Sequence, residues 1–228
     1  MDERAQGLVL RIYPLTETSL IVHWLTNDFG RIATVAKGAR RPKSPFRGKL
    51  DLFHLCDLLI TRSRHSELHT LKEVSLIDAH ATLRGDFDRL RKVVYASALV
   101  EQTTETDSPV PELFDLLISF IREIAAHATE TLVLAFELKL LLLLGLTPNL
   151  DEQRLSPGGR KLIEFLTDAG WDKIPSLRMT VPQGGELRRF LEGFLIYHLG
   201  KVPRSRGRAF DTNAKSEPKK ESGCNKPV

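Results

Sequence analysis

The chain has little thiol chemistry to offer. Its 228 residues hold two cysteines, Cys56 and Cys224. Cys56 sits in an apolar, strand-like pattern and Cys224 in a polar tail. The pair does not read as a disulfide, and two cysteines are too few for a secreted, disulfide-stapled scaffold. Long apolar runs are missing as well. The longest, Leu140–Leu144, is far too short to span a bilayer, and Glu137 and Lys139 lie just before it. No leader is visible, because Met1-Asp2-Glu3-Arg4 runs directly into a β-like segment. These absences predict a soluble, cytoplasmic protein without a membrane contact.

Signatures of catalysis are also missing. Gly48-Lys49 is followed by Leu50, and no glycine stands five residues before Gly48, which excludes a Walker-type phosphate loop. His65 and His69 resemble a metal pair only superficially. In a hairpin, residues four apart share a face but lie about 13 Å apart. The histidines and cysteines show no zinc-ligand spacing. Glu112, Asp115 and Glu123 read as solvent-face charges on helices. The expectation is a protein that is not an enzyme, with no cofactor and no metal.

What the chain does have is an uneven distribution of charge. The net charge of +4 divides into +3 over residues 1–78, −4 over 79–150, zero over 151–200 and +5 over 201–228. Basic ends around an acidic middle favour a nucleic-acid contact at an end. The sharpest feature is the run from Ala36 to Lys49. It contains Lys37, Arg40, Arg41, Lys43, Arg47 and Lys49 without one carboxylate, with two glycines and two prolines. A flexible, purely cationic loop beside a sheet attracts a phosphate backbone. A second cluster, Lys201, Arg204, Arg206 and Arg208, follows the last predicted helix. It reads equally as charge complementing a helix C-terminus.

Residues 7–75 carry strand patterns. Gly7–Tyr13 alternates, which predicts Leu8, Leu10 and Ile12 on one face and Arg11 and Tyr13 on the other. Ser19–Thr26, with Leu20, Val22 and Trp24 on one face, and Arg31–Lys37 flank the turn Asn27-Asp28-Phe29-Gly30. Arg31 and Lys37 fall on the same side of that strand. Leu52–Thr61 and Leu68–Val74 form a second hairpin. Five short strands leave exposed edges unless the sheet curls, so a small barrel is expected, a scaffold that often binds single strands. Tyr13, Phe29 and Phe46 lie where they could stack on bases or join the core.

Helical spacing follows in Asp86–Thr104, in a segment opened by Ser108-Pro109-Val110-Pro111, in Thr131–Leu144, after Ser156-Pro157-Gly158, and in Glu186–Leu199. Thr131–Leu144 is apolar nearly all round and predicts a buried central helix. Gly145 and Gly200 are the expected stops. The predicted division is a nucleic-acid-binding domain over 1–80, a helical domain over 81–210 and a disordered tail over 211–228.

The series Gly7-Leu8-Val9-Leu10, Glu17-Thr18-Ser19-Leu20, Thr26…Gly30-Arg31 and Ala36-Lys37-Gly38-Ala39-Arg40 resembles the N-terminal domain of the bacterial recombination mediator family RecO. The resemblance continues through Pro111-Glu112-Leu113-Phe114, Phe136-Glu137-Leu138…Leu144-Gly145, Pro148-Asn149-Leu150 and the basic exit Arg204-Ser205-Arg206. It implies an α+β protein, with an N-terminal five-stranded OB-fold β-barrel followed by an all-helical C-terminal domain. It further implies a non-enzymatic role in recombinational repair. Such a protein binds single- and double-stranded DNA, anneals complementary strands and, with the partner RecR, helps RecA replace the single-stranded-DNA-binding protein. It would act in the cytoplasm on the nucleoid. Arg31, Lys37, Arg40 and Arg41 match the family's basic positions, and Lys43, Arg47 and Lys49 extend them. Where many relatives place a zinc-binding cysteine cluster, this chain reads Asp151-Glu152-Gln153-Arg154-Leu155, so no zinc is expected. Charge alone leaves two other readings open, a basic loop that docks an acidic protein and an RNA-binding barrel.

Overall fold

A computed structural model of the chain describes residues 2–150 and 155–211. Five strands come first: β1 (Asp2–Pro14), β2 (Leu20–Thr26), β3 (Gly30–Ala36), β4 (Leu55–Thr61) and β5 (Leu68–Asp78). Helices follow: α1 (Phe87–Thr103), α2 (Pro111–Ala126), α3 (Glu130–Leu143), α4 (Pro157–Asp168), α5 (Val181–Leu199) and the short α6 (Arg206–Phe210). The α+β class is as the residues and the resemblance imply. The strands close in the order β1-β2-β3-β5-β4. Neighbours are antiparallel except β3 and β5, which pair in parallel over Ala33–Val35 and Leu68–Thr70.

β1 serves both sides of the closure. Asp2–Leu8 pairs with β4 and Gly7–Pro14 with β2. Gly7 lies where both partners meet, opposite Thr26 and Cys56. A Cβ there would stand 2.7 Å from the Leu58 Cδ1 methyl and 3.2 Å from Trp24, so a larger residue would force the Leu58 methyl aside. Trp24 fills the interior with Val9, Val22, Ile32, Leu58, Ile60 and Leu71, and its indole N–H donates to Thr34 Oγ1 at 2.8 Å.

The simple alternation expected for β1 does not hold. A bulge makes Leu10 an extra residue between Val9, opposite Trp24, and Arg11, opposite His23. Two neighbours on a bulged strand can then face one way. Leu8 and Leu10 join the core shared with the helices, whereas Val9 and Ile12 pack inside the barrel. Leu10 and Arg11 both reach the helical side, where Arg11 grips Glu101 of α1 through Nε and Nη2 at 2.8 and 2.6 Å.

The helices start where their caps direct. Asp86 accepts the backbone N–H groups of Asp88 and Arg89 at the head of α1, and Ser156 accepts from Gly159 at the head of α4. α5 begins five residues before its apolar spacing does. Thr180 and Gln183 form a reciprocal capping box there, with proline in the first turn. Residues 52–54, expected in a strand, form turns, with Phe53 in the left-handed region at φ 61°. α3 is buried from Thr131 to Leu138, as expected for the central helix.

That burial encloses Glu137. Arg206 answers it with two bonds, Nε to Oε1 at 2.8 Å and Nη2 to Oε2 at 3.0 Å, and the Tyr95 hydroxyl donates to Oε1. Arg206 also lies 5.0 Å over the Phe210 ring. Arg206, counted from sequence in the basic cluster after the last helix, is buried and bound to Glu137. The expectations for the 151–154 segment and for the tail from residue 212 lie outside the described residues.

Candidate nucleic-acid interface

The 36–49 run connects β3 to β4 and is wound into turns. Ala39 N–H donates to Ala36, Arg41 to Gly38, Ser44 to Arg41, Arg47 to Ser44 and Lys49 to Phe46, at 3.0–3.3 Å. Gly38 and Gly48 take φ of 70° and 73°, a region that costs a residue with a Cβ. Phe46 tucks into the barrel core, 6% exposed. The sequence suggests a flexible arm. The structure shows a chain of hydrogen-bonded turns stapled at its middle.

The loop is also tied to its neighbours. Arg40 N–H donates to Thr18 O at 3.0 Å, and its Nη1 to Thr16 O at 3.1 Å, which seats it on the β1–β2 turn. At the other end His54 donates from Nδ1 to Lys49 O at 2.8 Å. Its Nε2 faces Arg84, whose guanidinium can only donate, so Nε2 is the accepting nitrogen of the ring. Arg84 in turn reaches Asp51 at 3.0 Å. His80, left-handed at φ 43°, bonds Phe53 O through Nδ1 at 2.7 Å. These two buried histidines hold the loop's exit. A sequence reading misses them because lone histidines carry no pattern.

The seven predicted contact residues divide. Lys37, Arg40, Arg41, Lys43 and Arg47 are exposed on one loop. No salt bridge engages any of the five among the described residues, although Arg40 and Arg47 also donate to backbone carbonyls. Lys49 is half-buried, and its ammonium donates to Val74 O at 3.0 Å. Arg31 is directed away from the loop. Its Nη2 donates to Thr104 O at 2.6 Å, beyond the end of α1, and its backbone bridges to Thr106. β2 lies between the strands of Arg31 and Arg11, so the two are not on neighbouring strands.

The three candidate aromatics separate likewise. Phe46 is core. Phe29 is half-buried under the Arg62 guanidinium, 5.3 Å from the ring centroid. Tyr13 is 43% exposed. His65 is exposed, whereas His69 is buried 3.6 Å from Asp107. Among the described residues no group of three or more His, Cys, Asp or Glu could hold a metal ion. Burial, with Asp57 beside it, pushes the Cys56 thiol up to about 12, so it stays an unreactive thiol.

An ordered array of unpaired cations on a small barrel can hold a polyanion without reading bases. Comparison with known proteins identifies the family. Residues 1–80 match the family described as recombination protein O N terminal, and residues 84–154 match recombination protein O C terminal. A DNA repair protein RecO of Polaromonas sp. is 31% identical over 240 residues, covering 90% of this chain and 95% of that protein. The chain belongs to the RecO family. The RecO of Rhodopirellula baltica is 38% identical over 156 residues, which is 68% of this chain and 57% of the relative. That of Anaeromyxobacter dehalogenans is 29% identical over 230 residues, covering 86% and 91%. The RecO N-terminal match spans all five strands and the cationic loop. Among the described residues no helix is long and apolar enough to cross a membrane.

Proposed function

We propose that this RecO-family protein is a recombination mediator whose β3–β4 loop holds DNA by its sugar-phosphate backbone. The observation that carries the reading is the loop itself. Five exposed cations face water with no carboxylate partner among the described residues, on a backbone fixed by turns, a core phenylalanine and two histidines. Pre-ordered cations release counterions from DNA without first paying the entropy of ordering a flexible arm. Neutralising two backbones at once lowers their mutual repulsion, which supports annealing of complementary strands. In this reading residues 1–80 bind single- and double-stranded DNA. Residues 81–210 supply the protein surface for RecR and the single-stranded-DNA-binding protein, and RecA loading follows. The role needs no catalytic group or cofactor, and it places the protein on the nucleoid in the cytoplasm.

Replacing Lys37, Arg40, Arg41, Lys43 and Arg47 with alanine tests the assignment. Affinity for single-stranded DNA should fall, and the slope of log K against log salt should shrink by roughly 0.7 for each phosphate that the variant no longer neutralises. An unchanged slope would show that the loop does not touch DNA. Pull-downs with RecR and with the single-stranded-DNA-binding protein, with and without its acidic tail, test the partner assignment.

A further inference from the structure

The outer face of β1 and β2 and the C-terminal end of α1 enclose an open cleft of about 430 Å³, lined by Arg11, Tyr13, His23, Arg31, Glu101 and Lys201. We propose that this cleft is a base-stacking subsite for an unpaired strand, with Tyr13 as the platform and Lys201 as the far phosphate contact. The inference rests on the proposed DNA role and adds the place where bases go.

Two rings line the cleft. Tyr13 and His23 lie 5.5 Å apart at 84°, edge to face, so one ring braces the other. Tyr13 keeps 43% of its surface exposed, and neither the barrel core nor the helical core includes it. Arg11 fixes the phenol from the side, with Nη1 donating to the hydroxyl at 3.3 Å. A held, half-exposed ring is what a base stacks on, and every base has the face to do so.

The charges in the cleft suit the same occupant. Glu101 would repel a phosphate, but Arg11 cancels it bidentately. Burial lowers the pKa of His23, with Arg11 and Arg31 adding to the effect against Glu101, so the imidazole is neutral at pH 7 and adds ring surface rather than charge. Lys201 reaches the cleft because Gln102 ties the chain beyond α5 to α1, donating to Lys201 O at 2.6 Å. Arg31 also lines the cleft, half-buried, with Nη2 held on Thr104 O and Nε buried without a partner. With Arg11 and Glu101 cancelled, two cations remain.

Continuity links the cleft to the loop. Arg40 sits on Thr16 and Thr18, only a few residues along the chain from Tyr13. Three residues of extended chain span at most about 10 Å. A strand held by the loop therefore comes within reach of Tyr13, and Lys201 continues the path onto the helical side. The basic run after α5 then contributes through Lys201, while Arg206 is occupied in the core.

The test compares oligo-dT with an abasic sugar-phosphate strand of equal length, each titrated over a range of salt. The native protein should bind oligo-dT more tightly. Tyr13→Ala should weaken oligo-dT binding roughly fivefold or more, leave abasic binding alone and leave the salt slope unchanged. Tyr13→Phe should restore the preference, because stacking needs the ring and not the hydroxyl. Lys201→Ala should reduce the slope by roughly 0.7 on both strands. An unchanged preference for bases in Tyr13→Ala overturns the inference, and so does an altered salt slope in that variant. If the loop variant loses affinity while Tyr13→Ala does not, the subsite falls and the loop reading stands. If neither variant loses affinity, both fall.

Discussion

On the β3–β4 loop, Lys37, Arg40, Arg41, Lys43 and Arg47 face water and meet no carboxylate among the described residues. In the helical half, Arg91 and Lys92 share Asp88, and Arg206 is fastened to Glu137 inside the protein. Both regions carry several cations, and pairing and burial separate them. A paired cation holds structure and offers a polyanion little, because its field is already met. An unpaired, exposed cation adds little to stability and keeps its field for a partner. The loop's backbone order comes instead from turns and Phe46, which leaves its exposed cations without a carboxylate partner among the described residues.

Each of four substitutions puts that contrast at risk. Arg206→Ala should have the largest effect, about 4 kcal/mol of stability, because it leaves Glu137 buried without its countercharge. Urea unfolding would show it, and DNA affinity of the folded fraction should not move. Phe46→Ala should cost about 3 kcal/mol, since it leaves a void in the barrel core. It should also weaken DNA binding without removing a charge, through loss of loop order. A variant that binds normally would separate loop order from binding.

Asp88 gives a smaller, pH-dependent effect. Partial burial pushes its carboxyl up, but hydrogen bonds from Lys92 and Arg91 outweigh this and hold it below the ordinary range. Its contribution is therefore present above the unfolded value near 3.9, and is lost as pH falls through the folded value. Asp88→Asn should lower Tm at pH 7 by an amount equivalent to about 1 kcal/mol or less. The two melting curves should converge in strong acid, and a constant gap would refute the ion-pair account. The five-alanine loop variant should change stability least, within about 0.5 kcal/mol by chemical denaturation, despite its loss of DNA affinity. A large loss there would mean that the loop cations are structural after all.

Alternation, turn residues and caps made most of the fold legible in sequence, because each is a local rule. β2, with Val22 and Trp24 inward, and α3, buried nearly all round, stand as their patterns predict. The misses share a cause. The bulge at Leu10, the inward turn of Arg206 and the diversion of Arg31 to Thr104 are all set by a partner far along the chain. One clue was present. Glu137 in the buried stretch of the central helix calls for a buried countercharge, and a cation from elsewhere supplies it. At the site, the cationic run was readable from composition. Its rigidity was not, since that depends on Phe46 finding the barrel and on His54 finding Lys49.

Because Leu10 is surplus to the β1–β2 register, β1 is a wall common to two apolar interiors. Heat should find no seam between them. The barrel cannot melt without uncovering Leu8 and Leu10 to water, and the helices cannot leave without doing the same. Calorimetry should show one endotherm, with van't Hoff and measured enthalpies in agreement. Deleting Leu10 would restore plain alternation to the strand and withdraw one apolar side chain from the helical side. That shortened chain is the one in which a second, separate endotherm should emerge.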